Sequence, residues 1–334
     1  MRLKALALAV AVIALAAPAG ASAAAKIGIS ENNPQMFSDP NFLALGAKHS
    51  RIVVSYNAVT AAALGDNEIS SRVQPYLASA GALGIDPLVT FEHARGAAEV
   101  CKRGGSQPQC KLPSDAEYEA NLRAFLTMFP SVKTIAPWNE ANHNTQPTYR
   151  NPASSARFAK IAERVCTELN RGCTIVALDL LDQADNVKAK KPKYKSLTKW
   201  VKKWRKAYGK KPSICGLHSY SDINRFRMTG TKAMIKATKC RQYWLTESGG
   251  LYDFGSFWKK STRKQYKCKN ASACQLKATK FMFKLLRKYK AIKRAYIHSY
   301  YGSHAPRFDA GMVNGAPGQP TKPRKAYKEI KKRI

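Results

Sequence analysis

The sequence predicts a parallel (β/α)8 barrel, a TIM-barrel architecture, formed by residues 26–334 as one domain. Three observations lead there. Eight short apolar runs recur along the chain, most of them separated by segments with helical periodicity. The runs are rich in branched and aromatic residues, as strands buried on both faces are. Polar and acidic side chains collect at the carboxyl ends of these runs, which in such a barrel share one rim.

Taken in order, the first 25 residues stand apart. Arg2 and Lys4 precede the apolar LALAVAVIALAA, and ASAAA offers small-residue cleavage sites near Ala23 or Ala25. This pattern predicts a signal peptide over residues 1–25 and a secreted or cell-envelope protein. No other segment is long and apolar enough to span a membrane. The strands then begin with KIGISE from Lys26 and RIVVSY from Arg51. A helical segment, EISSRVQPYLASAGALG, follows, with Pro75 predicting a bend or break inside it. IDPLVTFEH from Ile85 is the third strand, and SDAEYEANLRAFLTMF the next helix, with Ser114 or Asp115 as N-cap.

KTIAPWNE from Lys133 and TIVALDL from Thr174 flank the helix ASSARFAKIAERVCTELN. In the basic stretch Lys188–Pro212, Leu197, Trp200, Val201, Trp204 and Tyr208 fall at helical spacing, which predicts an amphipathic helix with a solvated lysine face. SICGLHSY from Ser213, QYWLTES from Gln242 and AYIHSYY from Ala295 complete the strands. ASACQLKATKFMFKLLRKYK precedes the eighth strand and PTKPRKAYKEIKKRI closes the chain, both helical, whereas the first and sixth connections carry weaker helical signals. The rival architecture, a doubly wound open sheet, usually shows a glycine-rich turn after its first strand, where this chain has ISENNPQMF.

The formal net charge is +36, or +34 without Arg2 and Lys4. Such a surplus favours polyanions: an acidic polysaccharide, an anionic cell wall or nucleic acid. The lysines are widely spread, and no dedicated nucleic-acid module is recognisable, so a nucleic-acid reading rests on charge alone. Eight cysteines in an exported chain predict disulfides. Plausible pairs are Cys101 with Cys110, Cys166 with Cys173, Cys268 with Cys274, and Cys215 with Cys240. No CxxC or paired-histidine spacing marks a metal site, and nothing calls for a cofactor.

Two strand ends carry the sharpest chemical signal. WNEAN, residues 138–142, ends the fourth run, and WLTESGG, residues 244–250, ends the seventh. Across the mouth of a barrel, Glu140 and Glu247 could flank one bond, as glycoside hydrolysis requires. Asn139–Glu140 on strand four with Glu247 on strand seven resembles the clan A glycoside hydrolases, retaining (β/α)8 enzymes that include cellulases and xylosidases. The resemblance implies that Glu140 is the acid/base, Glu247 the nucleophile, and Asn139 a contact to the sugar 2-hydroxyl. It further implies that Arg51 hydrogen-bonds the nucleophile and that His218 and Tyr220 surround it. On strand eight, where many members have a tryptophan, this chain has His298, with Tyr300 and Tyr301 as a candidate aromatic floor. Trp138 is read as a cleft wall or packing beneath it, Glu92 and His93 as cleft-lining residues, and Glu31 and Asn32 as subsite residues. Asp179 and Asp182 read as loop residues.

The expected function is therefore a secreted, monomeric O-glycosidase for a poly- or oligosaccharide, with an anionic polymer suggested by the charge. Two alternatives stay open: a non-catalytic barrel that binds wall glycan, and a transglycosylase with the same carboxylate pair.

Overall fold

The computed structural model describes residues 24–96, 107–255, 257–302 and 308–334. Residues 1–23 of the expected signal peptide, and Cys101, lie outside them. The strands are β1 (Lys26–Ser30), β2 (His49–Ser55), β3 (Asp86–Glu92), β4 (Thr134–Ala136), β5 (Thr174–Leu181), β6 (Ile214–His218), β7 (Gln242–Ser248) and β8 (Ile292–His298). Each pairs in parallel with its sequence neighbour, and β1 pairs with β8, so the sheet closes into a barrel. Every predicted run is present, and the order is that of the chain.

The larger helices pack outside: α1 (Gln74–Ala82), α2 (Asp115–Met128), α3 (Pro152–Glu168), α4 (Lys195–Tyr208), α5 (Thr229–Thr238), α6 (Ala271–Lys288) and α7 (Lys325–Lys331). The break expected at Pro75 takes a definite form. Pro75 has no N–H to donate to the preceding turn, and a π-helical turn, Ile69–Val73, leads into α1, with Gln74 N donating to Ile69 O. Ser114 caps α2, its hydroxyl accepting from Glu117 N at 3.1 Å. In α4 the five spaced apolar residues from Leu197 to Tyr208 are all buried while the lysines face out. Gly209 stops that helix at φ 81°, a left-handed conformation that glycine adopts without strain.

Two layers of side chains fill the barrel. Leu88, Ala136, Val176, Ile214, Trp244 and Tyr296 form a small apolar cluster of their own, separate from the main core between sheet and helices. Above it, toward the carboxyl ends of the strands, the interior turns polar: Ser30, Arg51, Thr90, Asp179, His218 and Thr246 are all buried. An apolar plug beneath a polar layer leaves chemistry at one end of the barrel only.

Three expected disulfides form: Cys166–Cys173, Cys215–Cys240 and Cys268–Cys274, with Cα separations of 5.8, 6.0 and 5.3 Å. Among the described residues no helix is long and apolar enough to cross a membrane.

Candidate active site

The polar layer is organised by one guanidinium. Arg51 is fully buried on β2 and every nitrogen is engaged. Its Nε donates to Thr90 Oγ1 at 3.1 Å, and its Nη1 to Ser30 Oγ at 3.2 Å and to Glu247 Oε2 at 2.6 Å. Its Nη2 donates to Asn139 Oδ1 at 2.8 Å and, at 3.5 Å, to Asp179 Oδ2. Burial opposes the charge on Arg51, but the carboxylates of Glu247 and Asp179 outweigh it and raise its pKa. A buried guanidinium with this many acceptors is fixed in place as a rigid fork.

Glu247, near the end of β7, receives that fork on one oxygen and the Tyr220 hydroxyl on the other at 2.9 Å. Burial alone would raise its pKa, yet His298, His218, Arg51 and the Tyr220 hydrogen bond bring it well below the usual carboxylate range. Tyr220 is correspondingly held neutral, its pKa pushed far up by burial and by the adjacent Glu247.

Glu140 sits just past β4 at φ 40°, an uncommon conformation for a residue with a side chain. The flanking backbone pins it: Asn139 N donates to Phe91 O at 2.7 Å, and Ala141 N to Asp179 O at 3.0 Å. Its Oε1 lies 2.9 Å from His218 Nδ1, and its Oε2 3.7 Å from His143 Nδ1. Glu140 and Glu247 are each partly exposed, with side-chain accessibilities of 17% and 14%. One ligand atom from each of Glu140, His218 and Glu247 falls within 4.8 Å of the others, so the two carboxylates face one another across the mouth.

Three such donors could in principle hold a cation. The chemistry of His218 argues otherwise. Both ring nitrogens are bound to carboxylates, Nδ1 to Glu140 and Nε2 to Asp179 at 3.2 Å. Burial works against its charge, but Asp179 and Glu247 raise its pKa to about 10. The imidazolium has no free lone pair to offer a metal, and itself supplies the positive charge between the acids.

Asp179 is the residue that sequence reasoning missed. It is wholly buried on β5, hydrogen-bonded to His218 and to Thr246 Oγ1, and its pKa is lowered: burial pushes it up, but His218 and Arg51 prevail. Gly216 on β6 makes room for it, since a Cβ there would collide with Asp179 Oδ1 and Thr246 Oγ1. The available signal was a lone carboxylate inside an apolar run. Regular alternation from the inward Val176 would have turned Asp179 outward, but the register shifts between Val176 and Leu178 and brings it into the barrel.

Several other expectations are corrected. Trp138 is no cleft wall: it is 2% exposed, stacked on Phe158 at 5.2 Å and Tyr56 at 6.0 Å, and donates to Gln146 Oε1. The strand ends at Ala136, so Trp138 turns to the helices while Asn139 points inward. Tyr300 and Tyr301 form no sugar floor either. Both are buried, packed edge-on at 4.9 Å, with Tyr300 also against Phe42. The ring that meets Tyr220, at 5.3 Å, and His298, at 6.0 Å, is Phe308. His93 is buried, its Nδ1 donating to Ala94 O, and it stands 3.9 Å behind Glu92 rather than lining the cleft. Glu92 is at the site, accepting from Asn139 Nδ2 at 3.4 Å, with its pKa raised chiefly by burial. Glu31 and Asn32, by contrast, do line a cleft, with Gln35, Ser71 and Arg72, and they also tie loops together, Glu31 accepting from Asn32 N and Tyr301 N and Asn32 from Val53 N.

No family model matches the chain. No curated protein sequence matches it. Solved structures do. A psychrophilic glycoside hydrolase family 10 endo-β-1,4-xylanase is 15% identical, with TM-score 0.57 over 92% of this chain and 96% of its own. A β-glucosidase from Thermotoga maritima, in complex with a substituted glucoimidazole, is 13% identical, with TM-score 0.59 over 90% of this chain and 85% of its own. The family 10 xylanase of Bispora sp. MEY-1, with xylobiose, is 11% identical, with TM-score 0.59 over 92% of this chain and 96% of its own. These neighbours belong to the clan of barrel hydrolases that the two strand-end motifs resemble, and at such identities what they share with this chain is the fold.

Proposed function

We propose that the chain is an exported, retaining O-glycoside hydrolase of poly- or oligosaccharides, with Glu247 as nucleophile and Glu140 as acid/base. The observation that carries this reading is the asymmetric, facing pair of carboxylates. Retaining glycosidases keep their two carboxyl groups ~5–5.5 Å apart, and inverting ones ~6.5–9.5 Å apart to admit a water between them. Glu140 and Glu247 each bring one oxygen within 4.8 Å of the other, a facing arrangement that a retaining pair requires.

The environments divide the labour. Glu247 has donors on both oxygens and a depressed pKa, so it waits as an anion. In the first step its carboxylate oxygen forms a bond to the anomeric carbon as the glycosidic C–O bond breaks, and Glu140 gives its proton to the leaving oxygen. His218 Nδ1, 2.9 Å away, stabilises the carboxylate left on Glu140. In the second step Glu140 takes a proton from water, whose oxygen bonds to the anomeric carbon and releases Glu247. Asn139, aligned by Arg51 and Glu92, presents its side chain beside the reacting pair for a sugar hydroxyl.

A hydrolysis screen over a glycan library, with Glu140→Ala and Glu247→Ala proteins as controls, tests the reading. Cleavage by the parent that both variants lose supports it. Cleavage that survives both substitutions, or a parent that binds glycans and cleaves none, overturns it.

A further inference from the structure

One concave surface on the same rim is not used by this mechanism. Between the loop that follows Glu140 and the amino-terminal half of α4 lies a cleft of about 480 Å³, a size within the roughly 300–1,000 Å³ of small-ligand sites. Asn142, two residues beyond Glu140, and Gln183, just past β5, contribute to its lining, and Arg150, Lys199, Lys203 and the half-exposed ring of Tyr149 join them.

On a chain with so many lysines, three more cations mean little by number. What sets these three apart is their place: they line one cleft together with an aromatic ring and side-chain amides. None of Arg150, Lys199 and Lys203 makes an ion pair among the described residues, so their charge is open to a ligand. The acidic residue in the lining, Asp185, is taken up by the start of α4, accepting from Lys195 N at 2.7 Å and Ser196 N at 3.1 Å. A cleft that holds unpaired cations beside an aromatic ring and side-chain amides suits a sugar that carries negative charge.

We propose that this cleft is a subsite for uronic acid residues of an acidic polysaccharide, on the leaving-group side of the bond to be cut. The inference rests on the catalytic reading for its direction: an acid that protonates the leaving oxygen has the departing sugar on its own side, and the cleft begins two residues past Glu140. Arg150, Lys199 and Lys203 meet the carboxylates, Tyr149 offers its ring to a sugar face, and Gln183 and Asn144 take hydroxyls.

Calorimetric binding tests this directly, run on Glu247→Ala protein so that nothing turns over. The probes are an oligoglucuronate, the same oligomer with its carboxylates reduced to alcohols, and a sulfated neutral oligomer of equal length. At low salt the oligoglucuronate should bind about tenfold or more tighter than its reduced form, as three modest ion pairs together allow. Adding Arg150→Gln, Lys199→Gln and Lys203→Gln should bring that ratio close to one. Neutralising three exposed lysines of α6, Lys280→Gln, Lys284→Gln and Lys288→Gln, should leave the ratio intact, and equal melting temperatures show that both sets fold. Equal binding of the acidic and reduced oligomers, a ratio that survives the cleft substitutions or falls equally with the α6 set, or tighter binding of the sulfated oligomer overturns the assignment. Selective binding alongside a parent that cleaves nothing defeats the catalytic reading alone, and cleavage without selective binding defeats this one alone.

Discussion

Glu140 and Glu247 stand on one rim, face one another and are similarly exposed, yet they are held in opposite ways. Glu247 lies within the seven-residue strand β7, one residue before its end, and both its oxygens accept from fixed donors, Arg51 and Tyr220. Glu140 hangs from a strained turn just beyond a short strand, and its carboxylate is hydrogen-bonded to the imidazolium of His218. The first arrangement stabilises one charge state. The second leaves an oxygen accessible and places a cation where a carboxylate would appear on proton loss. The two side chains are chemically identical, so the difference between them is made entirely by their neighbours.

The largest effects should come from removing either member. Glu140→Ala should lower kcat about 10²–10⁴-fold on a substrate with a poor leaving group, and much less on an aryl glycoside whose leaving group needs no proton. Glu247→Ala should lose more than that on both substrates. Steady-state kinetics on the two substrates reads this contrast, and equal leaving-group dependence in the two variants would break it.

Arg51→Met comes next. It leaves the buried Asp179 and the partly exposed Glu247 without their shared cation, and breaking a buried pair such as Arg51–Asp179 costs about 3–5 kcal/mol. Chemical denaturation should show that loss, with activity falling as well. Arg51→Lys keeps the charge but cannot reach Thr90, Ser30, Glu247 and Asn139 together, and should fall between parent and Arg51→Met.

Asp179→Asn should be smaller and should show itself in pH dependence. His218 is raised in the folded chain, so its contribution to stability is complete below 6.5, its ordinary value, and is lost as the pH climbs toward about 10. Glu247 and Asp179 are depressed, so theirs is complete above 4.5 and 3.8, their ordinary values, and is lost as the pH falls below. Without Asp179 the folded pKa of His218 drops, and the difference in melting temperature between parent and Asp179→Asn should narrow from pH 6.5 to 10. A difference that stays constant over that window would remove Asp179 as the partner that charges His218.

The smallest expected effect is that of Trp138→Phe. The change removes the bond to Gln146 and part of a stacked core, about 1–3 kcal/mol together, and should leave KM unchanged. A KM that rises severalfold would put Trp138 back against the sugar.

Much of the fold was legible because the strands of a closed parallel barrel are buried on both faces and read as short apolar runs. Glu140 and Glu247 were legible because a carboxylate at the end of such a run has little structural reason to be there. What escaped depended on local irregularity. Asp179 was hidden by a register shift within β5 that periodicity cannot reveal. Tyr300 and Tyr301 follow β8 as closely as Glu140 follows β4, but the chain there turns them into packing against each other and Phe42. Arg51 did not escape, but only the family resemblance pointed to its bond with Glu247: it lies four residues before the end of β2, and the contact depends on the length of its side chain and on which face of the strand it occupies. No pattern in the sequence specifies those two things together.

The division between the two carboxylates is tested most directly by covalent trapping. The parent would be incubated with 2-deoxy-2-fluoro glucosyl, xylosyl and glucuronyl fluorides, and its peptides mapped by mass spectrometry. The account predicts one glycosyl adduct, on Glu247, absent from Glu247→Ala protein. An adduct on Glu140, or a parent that cleaves the matching glycan with inversion and traps no label, would contradict it.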